Sequence, residues 1–93
     1  MSIEARLAEL GVTLPDAPAP AANYVPWVLS GNQLFVSGQI SANADGFITG
    51  KLGDTMTAED GAIAAKFCAI SLLAHLKAGC GGDIDRLVRV VKL

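Results

Sequence analysis

The sequence predicts an α+β domain, an antiparallel meander of short strands covered on one face by a long helix. Three observations carry this. Runs of β-forming residues between Tyr24 and Thr49 are punctuated by turn-forming steps. A helical pattern runs unbroken from Thr57 to Ala78. A second apolar, β-branched run closes the chain at Val88–Leu93.

In chain order, Ser2 to Leu10 reads as a short helix, with Ser2 as its cap, Ile3, Leu7 and Leu10 at helical spacing, and Gly11 at the stop. The segment 12–23 contains Pro15, Pro18 and Pro20 among alanines. Proline has no amide donor, so this is an extended linker lying across the surface of one domain. Tyr24 to Leu29 reads as a strand with Pro26 at an edge position. Ser30-Gly31-Asn32-Gln33 is a hairpin turn, because Gly31 and Asn32 tolerate positive φ. Leu34 to Ile40 is the return strand, with Leu34, Val36 and Gly38 on one face and Phe35, Ser37 and Gln39 on the other. Asn43 to Gly46 is a second turn, and Phe47-Ile48-Thr49 a short third strand. Thr57 and Asp60 have capping-box spacing at the start of a helix from Ala58 to about Ala78. Its apolar residues spread over most of its circumference, so it must be covered on more than one side. Gly79 ends it, and Arg86 to Leu93 is the last strand.

Composition narrows the class. The 93 residues are 52% hydrophobic and 17% charged with a net charge of -2, which fits one folded domain (1–93) and excludes disorder. Such a chain buries roughly 60–65% of its unfolded surface. Seven Lys/Arg against nine Asp/Glu supply no global basic patch, so no nucleic-acid partner is expected. Ala62–Ala74, interrupted by Lys66, falls short of the about 20 residues a bilayer needs, so no membrane partner is expected either. Residues 1–10 lack the apolar core of a secretory signal. A cytoplasmic location with reduced Cys68 and Cys80 follows. The run Val90-Val91-Lys92-Leu93 ends inside a strand pattern, which leads us to expect further strand downstream.

Several residues invite a chemical reading. Gly79-Cys80-Gly81-Gly82 follows a helix instead of preceding one, so it reads as a helix stop and not as a phosphate loop. His75 stands four residues after Ser71, but a Ser-His pair needs a third group and an oxyanion hole; a surface or partly covered helix histidine is expected. One histidine and two distant thiols do not make a metal site. Cys68 reads as a small core residue, and Cys80 as an exposed turn residue. Arg86, Arg89 and Lys92 read as a solvated strand face. Ser37-Gly38-Gln39 is the most informative stretch. A small hydroxyl, a glycine and an amide end an apolar strand, which reads equally as a sheet bend or as a place where a ligand comes close to the backbone.

That stretch and its neighbours resemble the YjgF/RidA family, the endoribonuclease L-PSP or chorismate mutase-like group. The resemblance is carried by Gly31-Asn32, Leu34-Phe35-Val36-Ser37-Gly38-Gln39-Ile40, Gly46, Gly50-Lys51-Leu52-Gly53, Thr57-Ala58-Glu59-Asp60-Gly61, Leu72-Leu73-Ala74-His75-Leu76-Lys77 and Gly82-Asp83-Ile84-Asp85-Arg86-Leu87-Val88. Each motif is weak alone; their order and spacing make the series specific. The N-terminal helix (1–11) and the Pro/Ala linker (12–23) resemble the longer branch of the family.

The resemblance implies a chorismate mutase-like fold assembled as a homotrimer with clefts between subunits. It implies hydrolysis of reactive enamines and imines, such as 2-aminoacrylate, to 2-oxo acids and ammonia, with no metal or cofactor. It implies Tyr24 as a catalytic proton-relay or water-positioning group, Ser37 as a substrate hydrogen-bond contact, and Gly38 as a close backbone approach. The family's carboxylate-binding arginine lies beyond the strand at residues 86–93, and Arg86 and Arg89 do not match it; the 93-residue chain is therefore expected to be inactive as a deaminase. The other readings are a non-catalytic trimer that binds small metabolites and, less favoured by charge, an endoribonuclease or translation inhibitor.

Overall fold

The computed structural model describes residues 2–19 and 22–93. Met1 and the Pro20-Ala21 step of the expected linker lie outside the described residues. The elements in order are helix α1 (Ile3–Glu9), strands β1 (Trp27–Ser30), β2 (Gln33–Val36), β3 (Ala42–Asn43) and β4 (Gly46–Phe47), helix α2 (Ala58–Gly79) and a 3₁₀ turn (Ile84–Arg86).

Both helices begin and end where their side chains and glycines direct. Ser2 Oγ accepts from the Ala5 N–H at the start of α1. At α2 the capping box is complete: Thr57 Oγ1 accepts from the Asp60 N–H at 3.2 Å, and Asp60 Oδ2 accepts from the Thr57 N–H at 3.0 Å. At the far end α2 runs one residue past expectation. Gly79 is still helical, Cys80 is the C-cap, and Gly81 takes φ +72°. The Gly82 N–H then donates to the Lys77 carbonyl and the Gly81 N–H to the Ala78 carbonyl, the paired bonds of a Schellman stop. Gly11, with φ +70°, closes α1 by the same pair of bonds, Val12 to Leu7 and Gly11 to Ala8.

β1 and β2 form a hairpin with Trp27 opposite Val36, Val28 opposite Phe35 and Leu29 opposite Leu34. β3 and β4 form a second, two-residue hairpin in which the Asp45 N–H donates to Asn43 Oδ1. The expected continuous meander is thus two separate two-stranded antiparallel sheets. The first strand begins at Trp27 instead of Tyr24, because Pro26 has no N–H to donate to a ladder. The return strand stops at Val36 instead of Ile40. The third strand is displaced to Gly46–Phe47, with Ile48 tied to Ser41 by the bonds Ile48 N–H to Ser41 O and Ser41 Oγ to Ile48 O.

The expected last strand is absent. Residues 84–86 form the 3₁₀ turn, and residues 87–93 have no regular structure and no ladder partner among the described residues. Val88 is 94% exposed. A strand needs a partner for its backbone groups, and an apolar β-branched sequence alone does not create one.

β1, β2 and β3 pack on α2, as does the 3₁₀ turn, which also holds α1. The buried apolar residues Leu7, Ala74 and Ile84 lie on the three helical elements, with Ser71 and His75 buried beside Ala74 on α2. Two polar contacts fix α1: the Ile3 N–H donates to Asp85 Oδ1 at 2.6 Å, and Lys77 Nζ meets Glu4 Oε1 at 3.0 Å. Residues 14–17 of the expected linker have no strand or helix, and Leu14 and Asp16 border a cavity of about 200 Å³ with Ala74, Lys77 and Ala78. α2 extends the apolar stretch 62–74 at both ends, and its 22 residues are long and apolar enough, by length and composition, to cross a membrane. Here they carry the sheets and the core.

Candidate functional site

Ser37 sits where β2 leaves the hairpin. Trp27 and Val36 are the last ladder pair. One residue further, the Ser37 N–H donates to the Pro26 carbonyl at 2.9 Å, and Ser37 Oγ donates to the same carbonyl at 3.0 Å. A single acceptor therefore holds both the backbone and the hydroxyl of Ser37. The hydroxyl proton is committed to that carbonyl, so its free lone pairs can only accept from an approaching N–H or O–H. Gln39 Nε2 donates to the Ser37 carbonyl at 3.3 Å. This places Ser37 and Gln39 half-buried, whereas Phe35, on the same expected face, is exposed; the strand alternation ends with β2.

Ser37 borders an open depression of about 250 Å³ together with Val25, Pro26, Val28 and Phe35. Tyr24 and Gly38 flank this depression in sequence but do not line it. Tyr24 is 43% exposed, and its N–H donates to the Ala22 carbonyl. Gly38 is exposed, is not in the left-handed region, and a Cβ there would meet nothing within 4 Å. Nothing among the described residues requires glycine at position 38.

His75 differs from expectation. It is 1% exposed, not a surface or partly covered residue. Neither Nδ1 nor Nε2 has a hydrogen-bond partner among the described residues, so it forms no pair with Ser71. Burial pushes its imidazole below the ordinary value of 6.5, because a charged ring is poorly solvated there. Cys68 and Cys80 are both half-buried free thiols, so Cys80 is less open than its glycine turn suggested. Arg86 is in the 3₁₀ turn, not on a strand face, and its Nη1 donates to the Cys80 carbonyl at 3.1 Å.

Two small antiparallel sheets on one long helix form an α+β unit of the chorismate mutase-like class. Residues 4–93 match the model of the family described as "YjgF/chorismate_mutase-like, putative endoribonuclease", and the chain belongs to that family. It is 48% identical over 92 residues to Protein TCP17 of Trypanosoma cruzi, covering 98% of this chain and 57% of that protein. A crystal structure of Atu1372 from Agrobacterium tumefaciens, a protein of unknown function, superposes with a TM-score of 0.83 at 43% identity, over 96% of this chain and 54% of the other. A crystal structure of a putative endoribonuclease from Shewanella oneidensis MR-1 gives a TM-score of 0.84 at 32% identity, over 92% and 57%. The chain spans little more than half the length of these relatives.

Proposed function

We propose that residues 24–38 form part of the ligand cleft of a homotrimeric, cytoplasmic imine/enamine deaminase that hydrolyses 2-aminoacrylate-type substrates to 2-oxo acids and ammonia. The observation that carries this reading is the junction at Ser37-Gly38. Its hydroxyl is pinned at the rim of an open depression, and the adjacent exposed glycine has no steric reason of its own. Tyr24, two residues before the Pro26 carbonyl, supplies the hydroxyl that positions water or relays a proton. Ser37 accepts from the substrate nitrogen or from the attacking water. Gly38 lets the substrate lie against the backbone. No metal or cofactor enters this scheme. The substrate carboxylate calls for a bidentate arginine, the charge-assisted pair that desolvation of the carboxylate requires. Support for the scheme comes from family membership and from the ordered motif series.

The test is ammonia release from 2-aminoacrylate generated in situ by a dehydratase. The 93-residue chain is expected to match the buffer rate, while still showing amide shift changes at Ser37 and Gly38 when a 2-oxo acid is added. Absence of those shifts would overturn the cleft assignment.

A second reading, RNA cleavage, is favoured by the family description and by the likeness to the putative endoribonuclease of Shewanella oneidensis. It is opposed by the net charge of -2. RNA binding that falls steeply with salt would support it.

A further inference from the structure

A neutral imidazole carries one donor and one acceptor, and leaving both buried without partners costs stability that charging would multiply. His75 is in that position, 1% exposed at the seam where α2 meets the elements packed on it. No ionisable side chain of those elements hydrogen-bonds the ring. β1, β2 and β3 contain no ionisable side chain. Near the 3₁₀ turn, Asp83 accepts from the Asp85 N–H, Asp85 from the Ile3 N–H, and Arg86 donates to the Cys80 carbonyl. On α1, Glu4 is on Lys77 of α2, and Arg6 is on Glu9. Asp16 of the segment before β1 is exposed, as is Lys66 of α2, and Cys68 and Cys80 are half-buried. None of these groups hydrogen-bonds the imidazole.

We propose that His75 makes this seam a proton-sensitive joint, closed while the ring is neutral and opened when it takes a second proton from solvent. The direction follows from linkage. The opened chain binds the proton at the ordinary 6.5 and the closed chain only below it. Stability is therefore full above 6.5 and is lost as pH falls from 6.5 to the lower value of the closed state, by up to about tenfold in the opening equilibrium per pH unit.

His75 is the one histidine of the chain, so its ring resonance is a single, unambiguous NMR signal. The experiment follows that resonance, together with amide exchange over Ala74–Ala78 corrected for intrinsic rates, from pH 7.5 to 5 at fixed ionic strength. The same exchange is measured in His75→Gln and His75→Leu. The expected result is a ring that titrates below 6.5, opening that rises close to tenfold over one pH unit in the wild type, and a flat profile in the variants. A ring titrating at or above 6.5, flat opening in the wild type, or an equal slope in His75→Gln overturns the proposal. If neither variant folds, the wild-type resonance and exchange decide it.

Discussion

Leu34 of β2 lies directly on Gly79 of α2: a Cβ at position 79 would stand 2.6 Å from Leu34 Cδ2 and 2.7 Å from Cδ1. The hairpin therefore rests on the last turn of the helix through a residue with no side chain. Gly79→Ala would collide with both methyls of a half-buried leucine, and overpacking of this kind costs about 1–3 kcal/mol. Helix propensity returns little at the last helical position. Gly61, in the first turns of α2, is the contrasting case. Its Cβ would meet only Leu52 Cδ2 closely, at 2.7 Å, and Leu52 is 67% exposed and free to swing aside. Urea unfolding is expected to show Gly79→Ala destabilised by about 1 kcal/mol and Gly61→Ala stabilised by up to about 1 kcal/mol.

The ends of α2 make a second pair of predictions. Thr57→Ala removes the acceptor for the Asp60 N–H and breaks the capping box, at an expected cost of about 1 kcal/mol. Gly81→Ala forces a Cβ into the left-handed region at φ +72°, at a cost of about 1–2 kcal/mol. The nearest atom to that Cβ is Arg86 Nη1 at 3.5 Å, an ordinary contact, so the backbone and not crowding sets the penalty. Both losses should appear as lower urea midpoints with unchanged m-values, since neither alters the buried area.

These elements also show what was legible in the sequence and why. Helix ends are local: a threonine with an aspartate three residues later, or a glycine after the last turn, acts on the backbone next to it. α1 and α2 accordingly fall within a residue or two of expectation. Strand ends are set by pairing. The alternation from Tyr24 to Ile40 could not reveal that Pro26 and Ser37 would close the ladder at Trp27–Val36. Residues 88–93 carry a strand composition with no partner among the described residues, so composition misled. The burial of His75 escaped the sequence for a related reason, since it depends on tertiary packing against α2, where β1, β2, β3 and the 3₁₀ turn are contributed by residues outside the helix. Ser37 and Gly38 stood out as a candidate site because their residue types fit poorly with a plain strand. Their proposed link to Tyr24 rests only on the family motif series.

The docking of α1 gives a third prediction. Asp85 Oδ1 accepts from the Ile3 N–H at 2.6 Å, a bond between residues at opposite ends of the chain. Asp85→Ala leaves that first-turn N–H to water and removes a carboxylate from a helix N-terminus, at an expected cost of about 1 kcal/mol. The Lys77–Glu4 pair is a weaker tie, because its side chains are 40% and 48% exposed and solvent screens them. Glu4→Gln should cost about 0–1 kcal/mol, and the difference from wild type should shrink in high salt. Amide exchange over Ala5–Glu9 is the direct measurement. It should accelerate markedly in Asp85→Ala and little in Glu4→Gln.

Ser37→Ala separates holding the fold from holding a ligand. The variant loses the hydroxyl donation to the Pro26 carbonyl, but the Ser37 N–H still donates to that carbonyl at 2.9 Å. The carbonyl stays satisfied, so the stability cost is expected to be about 0.5–1 kcal/mol, the lower part of the range for a hydrogen bond. The hydroxyl's accepting lone pairs are lost outright. If they accept from the N–H of a 2-imino or 2-amino acid, binding should weaken by about tenfold, the worth of one hydrogen bond near 1.4 kcal/mol. Tyr24→Phe is the companion variant. Tyr24 is 43% exposed and lies outside the ladder, so its hydroxyl adds little to stability. In a chain with deaminase activity its removal should lower kcat, with a smaller change in KM, as expected for a group that moves a proton rather than grips the substrate. Titration of a 2-amino acid, which keeps the N–H donor, by NMR, with urea unfolding on the same samples, reads both quantities. A Ser37→Ala variant that binds as the wild type does would show that the hydroxyl at residue 37 serves only to close the hairpin.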